Sequence, residues 1–299
     1  MAKQLVQLSD IAKDLSLTIV RDKSFSLIGP LGTVETNTLS TLYDANYLEQ
    51  ASTNINLSCV ITTKELAAAL PDRLGIIISE APQQTFHKID QWLGDNEHYW
   101  KSFKTEIGSG CDIHETVVIP SHNVRIGNNV QIAPNVVIHE RTIIGDNTIV
   151  GVGTVIGAAG FEKRHSREQA LAPHTGGVSI GSHVEIQAQC CVDRGVFGVQ
   201  TELKDYSRLG SQSYIAHNVS VGKGTQIAPS VTVCGSVIMG EDIWIAPSAI
   251  ISNGLSIGDE AFITLGETLT RDLEAGHVSL GGRKLSKERY EKLIGALKR

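Results

Sequence analysis

An aliphatic residue returns at every sixth position between Leu203 and Ile263. The anchor positions are Leu203, Leu209, Ile215, Val221, Ile227, Val233, Met239, Ile245, Ile251, Ile257 and Ile263. An α-helix repeats about every 3.6 residues and a β-strand every two, so neither sustains a strict period of six over this length. The residue two positions before each anchor is small or aliphatic nearly throughout. This hexapeptide repeat predicts a mainly β fold, the left-handed parallel β-helix. Three repeats of six make one triangular coil, so residue i lies beside residue i+18.

The same period starts earlier in the chain and is interrupted once at length. It begins at Ile107, continues to Ile156 with one extra residue before Ile126, and resumes at Ile180. Residues 157–177 lack the pattern, and 162–169 are polar. The 24 positions from Ile156 to Ile180 allow either a loop between coils or a poorly patterned coil. We favour a loop because 162–169 offers nothing to bury; such loops on rigid scaffolds commonly carry function, although a solvated excursion fits the pattern too.

The N-terminal third lacks the period of six and predicts a small α/β domain with a partly parallel sheet. The predicted strands are Phe25–Gly29, Leu57–Thr62 and Gly75–Ser79. The predicted helices are one capped by Ser9 and ending at Leu15, one at Lys64–Leu70 with a capping box of Thr62 and Glu65, and one after Ser79 that ends at Gly94. We therefore divide the chain into an α/β domain (1–100), the β-helix (101–266) and a C-terminal extension (267–299). The extension ends in a short helix, Lys287–Lys298, capped by Ser286.

Composition narrows the class of protein. The net charge is −6 without a basic stretch before the C-terminus, which argues against a nucleic-acid partner. No apolar run approaches the ~18 residues of a membrane span, and the N-terminus lacks the apolar core of a signal peptide. The five cysteines include no Cys-x-x-Cys pair, so we expect structural thiols in a reducing cytoplasm rather than disulfides or a metal cluster.

A β-helix has no internal cavity, so reactive groups must project from its surface. Most of the ten histidines follow no pattern, but His217 lies two positions after anchor Ile215, and Gly235 stands 18 positions further on. An imidazole beside a glycine amide on the next coil is a plausible acyl-transfer pair. The imidazole can accept a proton from an attacking amine or hydroxyl, while the amide, with no Cβ in the way, can reach the developing oxyanion. A metal site needs several converging histidines, and His217 has no nearby histidine partner, so we expect no metal.

The C-terminal extension gives an acidic protein a positive end. Its cations are Arg283, Lys284, Lys287, Arg289, Lys292, Lys298 and Arg299. The terminal helix is either a solvated surface helix or a dock for an acidic acyl carrier protein or the phosphates of CoA.

Several motifs occur in an order that resembles one enzyme family. They are Val155-Ile156-Gly157-Ala158-Ala159-Gly160-Phe161, Gly177-Val178-Ser179-Ile180-Gly181, Val184-Glu185-Ile186, Val192-Asp193-Arg194-Gly195 and Ile215-Ala216-His217-Asn218-Val219, preceded by an N-terminal segment, 39–50, that contains Asn46-Tyr47-Leu48. These resemble the UDP-3-O-(3-hydroxyacyl)glucosamine N-acyltransferases of lipid A synthesis, over nearly the whole chain.

The resemblance implies a cytoplasmic homotrimer without a bound cofactor, with active sites between neighbouring prisms. Such an enzyme transfers an acyl group, typically 3-hydroxyacyl, from acyl carrier protein to the 2-amino group of a UDP-linked sugar. On this resemblance His217 is the general base and Gly235 the oxyanion amide, and Tyr47 stacks on uracil. The other substrate-binding candidates are Asp44, Asn218, Asp193, Arg194 and Phe161, and the donor-binding candidates are Arg283, Lys284 and Lys287.

The chain departs from the family pattern at several positions. Thr41 replaces an aromatic residue, Asp44 replaces an asparagine, and Gly210-Ser211-Gln212 replaces Asp-Asn-Gln. A second family histidine, expected within 252–255, is absent. A relative that acylates another nucleotide-linked amino sugar, or an acetyl-CoA-dependent N-acetyltransferase, therefore remains open, as does a non-catalytic β-helix scaffold. Retention of His217 in register with Gly235 favours an enzyme.

Overall fold

The computed structural model describes residues 4–161 and 172–297. The described residues form two compact units, one of 4–101 with 172–175 and one of 102–161 with 176–297. The polar stretch 162–169, with Lys298 and Arg299, lies outside the described residues, and so do the predictions made for these residues.

The first unit is an α/β domain around a five-stranded sheet. Its strands follow the order Thr18–Arg21, Gly75–Ile78, Leu57–Thr62, Thr38–Leu42 and Leu27–Ile28, and they are parallel except for Thr18–Arg21. Val6–Gln7 and Ser24–Phe25 form a separate antiparallel pair. The helices are α1 (Leu8–Leu15), α2 (Leu48–Thr53), α3 (Lys64–Ala67) and α4 (Pro82–Asp95), with a 3-10 turn at Ala45–Tyr47. Phe86, Ile89 and Leu93 of α4 are buried, as the amphipathic pattern of this helix predicts.

Some predicted boundaries are wrong. Helix α1 begins at Leu8, without a side-chain cap, and the predicted strand 25–29 is divided between two sheets. The predicted capping box does not form, because the buried Thr62 hydroxyl donates to the carbonyl of Leu42 (2.8 Å) and completes the sheet instead. Helix α3 ends at Ala67, three residues earlier than predicted.

The second unit is a parallel β-helix with three faces. Face 1 contains Glu106–Ile107, Val124–Ile126, Thr142–Ile144, Gly177–Ile180, Gln200–Leu203, Ser220–Val221, Ile238–Met239 and Ser256–Ile257. Face 2 contains Asp112–Ile113, Gln131–Ile132, Ile149–Val150, Glu185–Ile186, Arg208–Leu209, Gln226–Ile227, Trp244–Ile245 and Phe262–Ile263. Face 3 contains Val137–Ile138, Val155–Ala158, Cys191–Asp193, Tyr214–Ile215, Thr232–Val233, Ile250–Ile251 and Thr268–Leu269. The predicted fold class is confirmed.

The anchors fill the interior of the prism and the turns set its period. All anchors from Leu203 to Ile263 are at most 3% exposed, whereas Ile107, at the first coil, is 50% exposed. Each strand of two to four residues is followed by a tight turn, and a residue in the left-handed backbone region recurs every six positions along much of the repeat, as at Gln212, Asn218, Ser230 and Ser236. Non-glycine residues rarely adopt this conformation, so the corners require small or polar side chains while the strands require aliphatic ones.

The interruption of the repeat leaves the ladder intact. Thr142 pairs directly with Val178, and Ile156 pairs with Val192, so the coils on either side of the interruption are adjacent in the ladder. Residues 162–171, on which the prediction of a loop falls, lie outside the described residues. A second, shorter interruption separates Asp193 from Gln200, and the ladder also continues across it.

The extension closes the C-terminal end of the prism. A hairpin of His277–Leu280 and Arg283–Ser286 joins face 2 and leads into α5 (Lys287–Leu297), whose Arg289 N–H bonds to the Ser286 hydroxyl (3.4 Å). The predicted terminal helix and its cap are therefore confirmed over the described residues. The buried Glu267 carboxylate ties the hairpin down by accepting from Ser279 Oγ and the N–H groups at Gly281 and Gly282, at 2.7–3.0 Å.

Candidate functional site

The structure brings His217 and Gly235 together at the corner that follows face 3. The pairing of Ile215 with Val233 places residue 217 beside residue 235, and the Ser236 N–H donates to the His217 carbonyl (2.9 Å). A methyl group on Gly235 would lie 2.7 Å from both Cε1 and Nε2 of His217, so the edge of the imidazole covers the glycine directly. Both residues are half-buried and therefore reachable from solvent. The stacking rule thus located this contact correctly.

The pair offers a proton acceptor and a donor side by side. Within 4–161 and 172–297, the Gly235 N–H has no hydrogen-bond acceptor, whereas its neighbours at 234 and 236 both donate to adjacent coils. A free backbone N–H next to an imidazole edge can stabilise negative charge on an oxygen while the imidazole takes a proton. The arrangement therefore supplies two of the groups that acyl transfer requires.

The Asp-Arg-Gly motif lies one coil before His217 at the same corner. The pairing of Val192 with Ile215 stacks Arg194 against residue 217. Arg194 Nε donates to the carbonyl of Gly157 (2.5 Å), and burial, followed by the nearby Arg141, lowers the pKa of its guanidinium. Asp193 is only 2% exposed and accepts from the hydroxyl of Tyr214. Its oxygens are thus engaged inside the protein.

Two further predicted residues frame this corner. Asn218 has a left-handed backbone (φ 59°), and its Oδ1 accepts from the Val196 N–H (2.7 Å), so it fastens the short interruption 194–199 to the coil of His217. Phe161, at the start of the long excursion, is 88% exposed.

The N-terminal candidates line a cavity of about 310 Å³ in the first unit. It lies at the carboxyl end of the parallel strand Thr38–Leu42, where α/β sheets commonly bind ligands. Thr41, Asp44 and Tyr47 all line it, and Asp44 also caps the 3-10 turn by accepting from the Asn46 N–H (2.9 Å). Tyr43, which the sequence reasoning missed, lines the same cavity and is 56% exposed. A larger cavity of about 630 Å³, beside α3, contains none of the predicted site residues.

The C-terminal candidates are exposed on the hairpin and at the start of α5. Arg283 and Lys287 project into solvent, and Lys284 forms an ion pair with Glu274 (3.2 Å). A cavity of about 240 Å³ is lined by Lys284 and also by Arg271. The successive pairings of Ile215, Val233, Ile251 and Leu269 place Arg271 three coils from His217 at the same corner, about 14 Å at the usual strand spacing. Sequence reasoning missed Arg271, although 217 + 3 × 18 = 271 would have found it.

The described part of the chain offers neither a metal site nor a membrane-spanning helix. No group of three or more histidine, cysteine, aspartate or glutamate side chains there could hold a metal ion. No helix among the same residues is long and apolar enough to cross a membrane. All five cysteines are free thiols.

Comparison with known proteins identifies both the repeat and a class of relatives. Residues 123–158 match the family model described as bacterial transferase hexapeptide (six repeats). A UDP-3-O-acylglucosamine N-acyltransferase 2 from Legionella pneumophila (strain Lens) is 47% identical over 64 residues, which cover 21% of this chain and 18% of the relative. A UDP-3-O-acylglucosamine N-acyltransferase from Shewanella denitrificans is 50% identical over a segment covering the same shares of each chain. This protein thus matches less than a fifth of the length of these curated relatives.

Solved structures extend the similarity of fold over much more of the chain. The UDP-N-acetylglucosamine acyltransferase from Arabidopsis superposes with a TM-score of 0.53 at 19% identity, covering 65% of this chain and 76% of that one. The enzyme of the same name from Bacteroides fragilis 9343 gives 0.51 at 19% identity, covering 66% and 74%. The fold is the left-handed β-helix of these proteins, with hexapeptide repeats of the bacterial transferase type.

Proposed function

We propose that this hexapeptide-repeat protein is an N-acyltransferase that moves an acyl group from a thioester to the amino group of a nucleotide-linked amino sugar, in lipid A or related surface-glycan synthesis. The contact between the His217 ring and Gly235 carries the proposal, because it places a proton acceptor beside an unoccupied N–H donor. The names of the curated relatives support the reaction class and the acceptor.

The mechanism follows from the roles of these two groups. The amine attacks the thioester carbonyl, a C–N bond forms, and His217 accepts the amine proton. The Gly235 N–H donates to the oxygen that becomes negative in the tetrahedral intermediate. The intermediate then collapses, the C–S bond breaks, and the imidazolium returns the proton to the departing thiolate. No metal ion or cofactor takes part in these steps, and the thioester is a co-substrate.

The first unit is proposed to bind the nucleotide. Tyr43 and Tyr47 offer two exposed rings in one cavity, and rings of this kind stack on bases irrespective of sequence, at about 1–3 kcal/mol per base. The ring of Tyr43 can thus take the place of the aromatic side chain that the family has at position 41, where this chain has Thr41. Asp44 contributes a carboxylate acceptor to the same wall, which suits the N–H and hydroxyl donors of a nucleoside.

The donor is proposed to be an acyl carrier protein or CoA thioester. Arg271 and Lys284 line one cavity on the corner of His217, and both could bind the phosphate of the donor's pantetheine arm. Arg283 and Lys287 add positive charge around it, which would attract an acidic carrier protein. A homotrimeric assembly and a cytoplasmic location are proposed from the resemblance to the acyltransferase family, and the free thiols agree with a reducing compartment.

The test is a thiol-release assay on the intact protein. The donors are 3-hydroxyacyl carrier protein, acyl-CoA and acetyl-CoA, and the acceptors are UDP-linked sugars with a 2-, 3- or 4-amino group. We expect release with at least one pair, and a loss of about 10²–10⁴-fold in His217→Ala. His114→Ala, which removes an exposed histidine elsewhere on the prism, should keep wild-type activity. Full activity in His217→Ala would refute the proposed role of this imidazole, whereas absence of release with every pair would refute the proposed activity and favour a non-catalytic scaffold.

A further inference from the structure

The cavity of about 630 Å³ beside α3 has no role in the mechanism above. Its volume lies within the range of about 300–1,000 Å³ that is typical of small-molecule sites. Most of its lining is apolar and consists of Val20, Ala67, Ala68, Leu70, Ile76 and Ile78. Leu70 and Ile76 also belong to the buried core of the α/β domain, so the cavity opens directly onto packed apolar side chains.

The sheet is left open here because the helix beside it is short. Helix α3 has only one turn, Lys64–Ala67, and the residues that line the cavity at its end, Ala67 and Ala68, have small side chains. Val20, on the edge strand of the sheet, consequently stays 59% exposed. Open apolar surface of this kind costs free energy, and contiguous apolar patches commonly mark binding sites.

A β-bulge turns a cation into this apolar cavity. Strand Thr18–Arg21 contains one extra residue, Val20, relative to its partner strand, so that Arg21 lies opposite Ile76. Because side chains alternate along a strand, regular pairing would direct Arg21 to the face opposite to that of Thr18. The bulge instead places Arg21 on the face of Ile76, and both residues line the cavity. Bulges re-aim side chains in this way next to functional sites.

The charged residues of the cavity are two cations and one carboxylate. Arg21 Nη1 donates to Asp72 Oδ1 (2.8 Å) and Nη2 donates to the Leu70 carbonyl (2.9 Å). The Asp72 side chain is fully exposed, so this ion pair contributes little stability, and the guanidinium has further N–H donors. Lys64, which is also exposed, forms no ion pair with any residue in 4–161 or 172–297.

We propose that this cavity binds the anion of a fatty acid. The carboxylate binds the Arg21 guanidinium in place of Asp72, with Lys64 as a second cation, and the alkyl chain packs on the apolar side chains of the sheet. A guanidinium suits this role because its planar fork matches a carboxylate. No aromatic side chain among the described residues lines the cavity, so it offers no stacking surface for a nucleotide base. The assignment goes beyond the proposed acyl transfer and does not depend on it.

Calorimetry on the whole protein tests the chemistry of the ligand. The probes are octanoate, decanoate and dodecanoate, each below its critical micelle concentration, and decan-1-ol. We expect saturable binding, with an affinity that rises about 3- to 4-fold per added methylene while the chain still fits the cavity. Decan-1-ol should bind about 10-fold more weakly than decanoate, because it lacks the charge that pairs with Arg21. Absence of saturable decanoate binding, or equal affinities for decanoate and decan-1-ol, overturns the proposal.

A matched pair of variants locates the site. Ala68→Phe fills the cavity and should weaken decanoate binding at least about 10-fold, in line with the loss of several buried methylenes. Ala69→Phe, at an adjacent exposed residue that does not line the cavity, should keep the wild-type affinity. Equal affinities in these two variants would place the ligand elsewhere and reject the assignment.

A charge variant tests the role of the bulged strand. Arg21→Gln should weaken decanoate binding about 10-fold and leave the affinity for decan-1-ol within about 2-fold. An equal loss for both probes would mean that Arg21 acts only through the structure of the cavity, and would overturn its role as the anion ligand. The melting temperature is measured alongside, because Arg21 also binds the Leu70 carbonyl; if this variant unfolds, the comparison of decanoate with decan-1-ol on the wild-type protein decides whether charge matters.

Amide hydrogen exchange gives a readout of position that does not depend on affinity. Decanoate should slow exchange in 18–21 and 64–70 of the α/β domain. Protection confined to the β-helix would show that the fatty acid occupies an acyl site on the prism, and it would overturn the proposal. Failure of the thiol-release assay would leave all of these results standing, since none of them uses the transferase reaction.

Discussion

Substitution of Gly235 by alanine separates the geometry of the proposed site from the stability of the fold. The added methyl would lie 2.7 Å from Cε1 and Nε2 of His217 and 3.2 Å from Cδ2. Ordinary contact begins near 3.4 Å, so the ring must move by about 0.7 Å (3.4 − 2.7). Gly235 is not among the residues in the left-handed region, so its backbone accepts alanine, and a more restricted unfolded chain offsets part of any strain.

The expected result is an intact protein with a displaced base. A misplacement approaching 1 Å in a catalytic group costs on the order of 10²-fold, which equals about 2.7 kcal/mol of transition-state stabilisation. We therefore expect kcat/KM in the thiol-release assay to fall about 100-fold while the melting temperature changes little. Gly295→Ala, where a methyl meets no atom within 4 Å, is the matched control and should keep full activity. Wild-type kcat/KM in Gly235→Ala would refute the proposed roles of this contact.

Three further predictions concern other parts of the chain. Burial raises the pKa of the Cys59 thiol from 9.0 to about 12, so between pH 9 and 12 this thiol ionises in the unfolded chain but not in the folded one. The free energy of unfolding, measured by urea titration, should therefore fall over this pH range, and Cys59→Ala should reduce the slope by up to about 1.4 kcal/mol per pH unit. An unchanged slope in Cys59→Ala would contradict this reasoning. Tyr43→Ala and Tyr47→Ala should each weaken the affinity for UMP, measured by calorimetry, by about 5- to 100-fold, whereas Tyr206→Ala should not. Equal affinities in all three variants would show that the base does not bind in this cavity. Glu267→Ala should accelerate amide hydrogen exchange in the hairpin 277–286, because three donors lose their acceptor. Wild-type protection in this variant would show that the hydrogen bonds of the strand ladder alone hold the hairpin.

The parts of the structure that follow from the period of six were predictable, and those that depend on local exceptions were not. The contact of His217 with Gly235 followed from a fixed offset of 18, because no residue is inserted between their coils. The hydrogen bond between Asp193 and Tyr214 has an offset of 21 across a short interruption, so no periodic rule reaches it. Tyr43 was missed because its place in the cavity depends on the turn that follows its strand.

In the α/β domain the misses arose where tertiary contacts override local signals. Thr62 matches a helix-capping motif by spacing, but the sheet buries it and supplies a carbonyl acceptor at Leu42. Local capping preferences are worth about 1 kcal/mol, which a buried hydrogen bond readily exceeds once its loss would leave a polar group unpaired.

The two interruptions of the repeat enter at one corner, between face 3 and face 1, on the two consecutive coils that precede the coil of His217. In an ordinary strand one inserted residue turns every following side chain to the opposite face, but an insertion at a corner of this prism leaves both adjoining strands in register. Length can therefore vary at this corner without any change to the packed interior. A change of length between 158 and 177 or between 193 and 200 would therefore leave the contact of His217 with Gly235 in place.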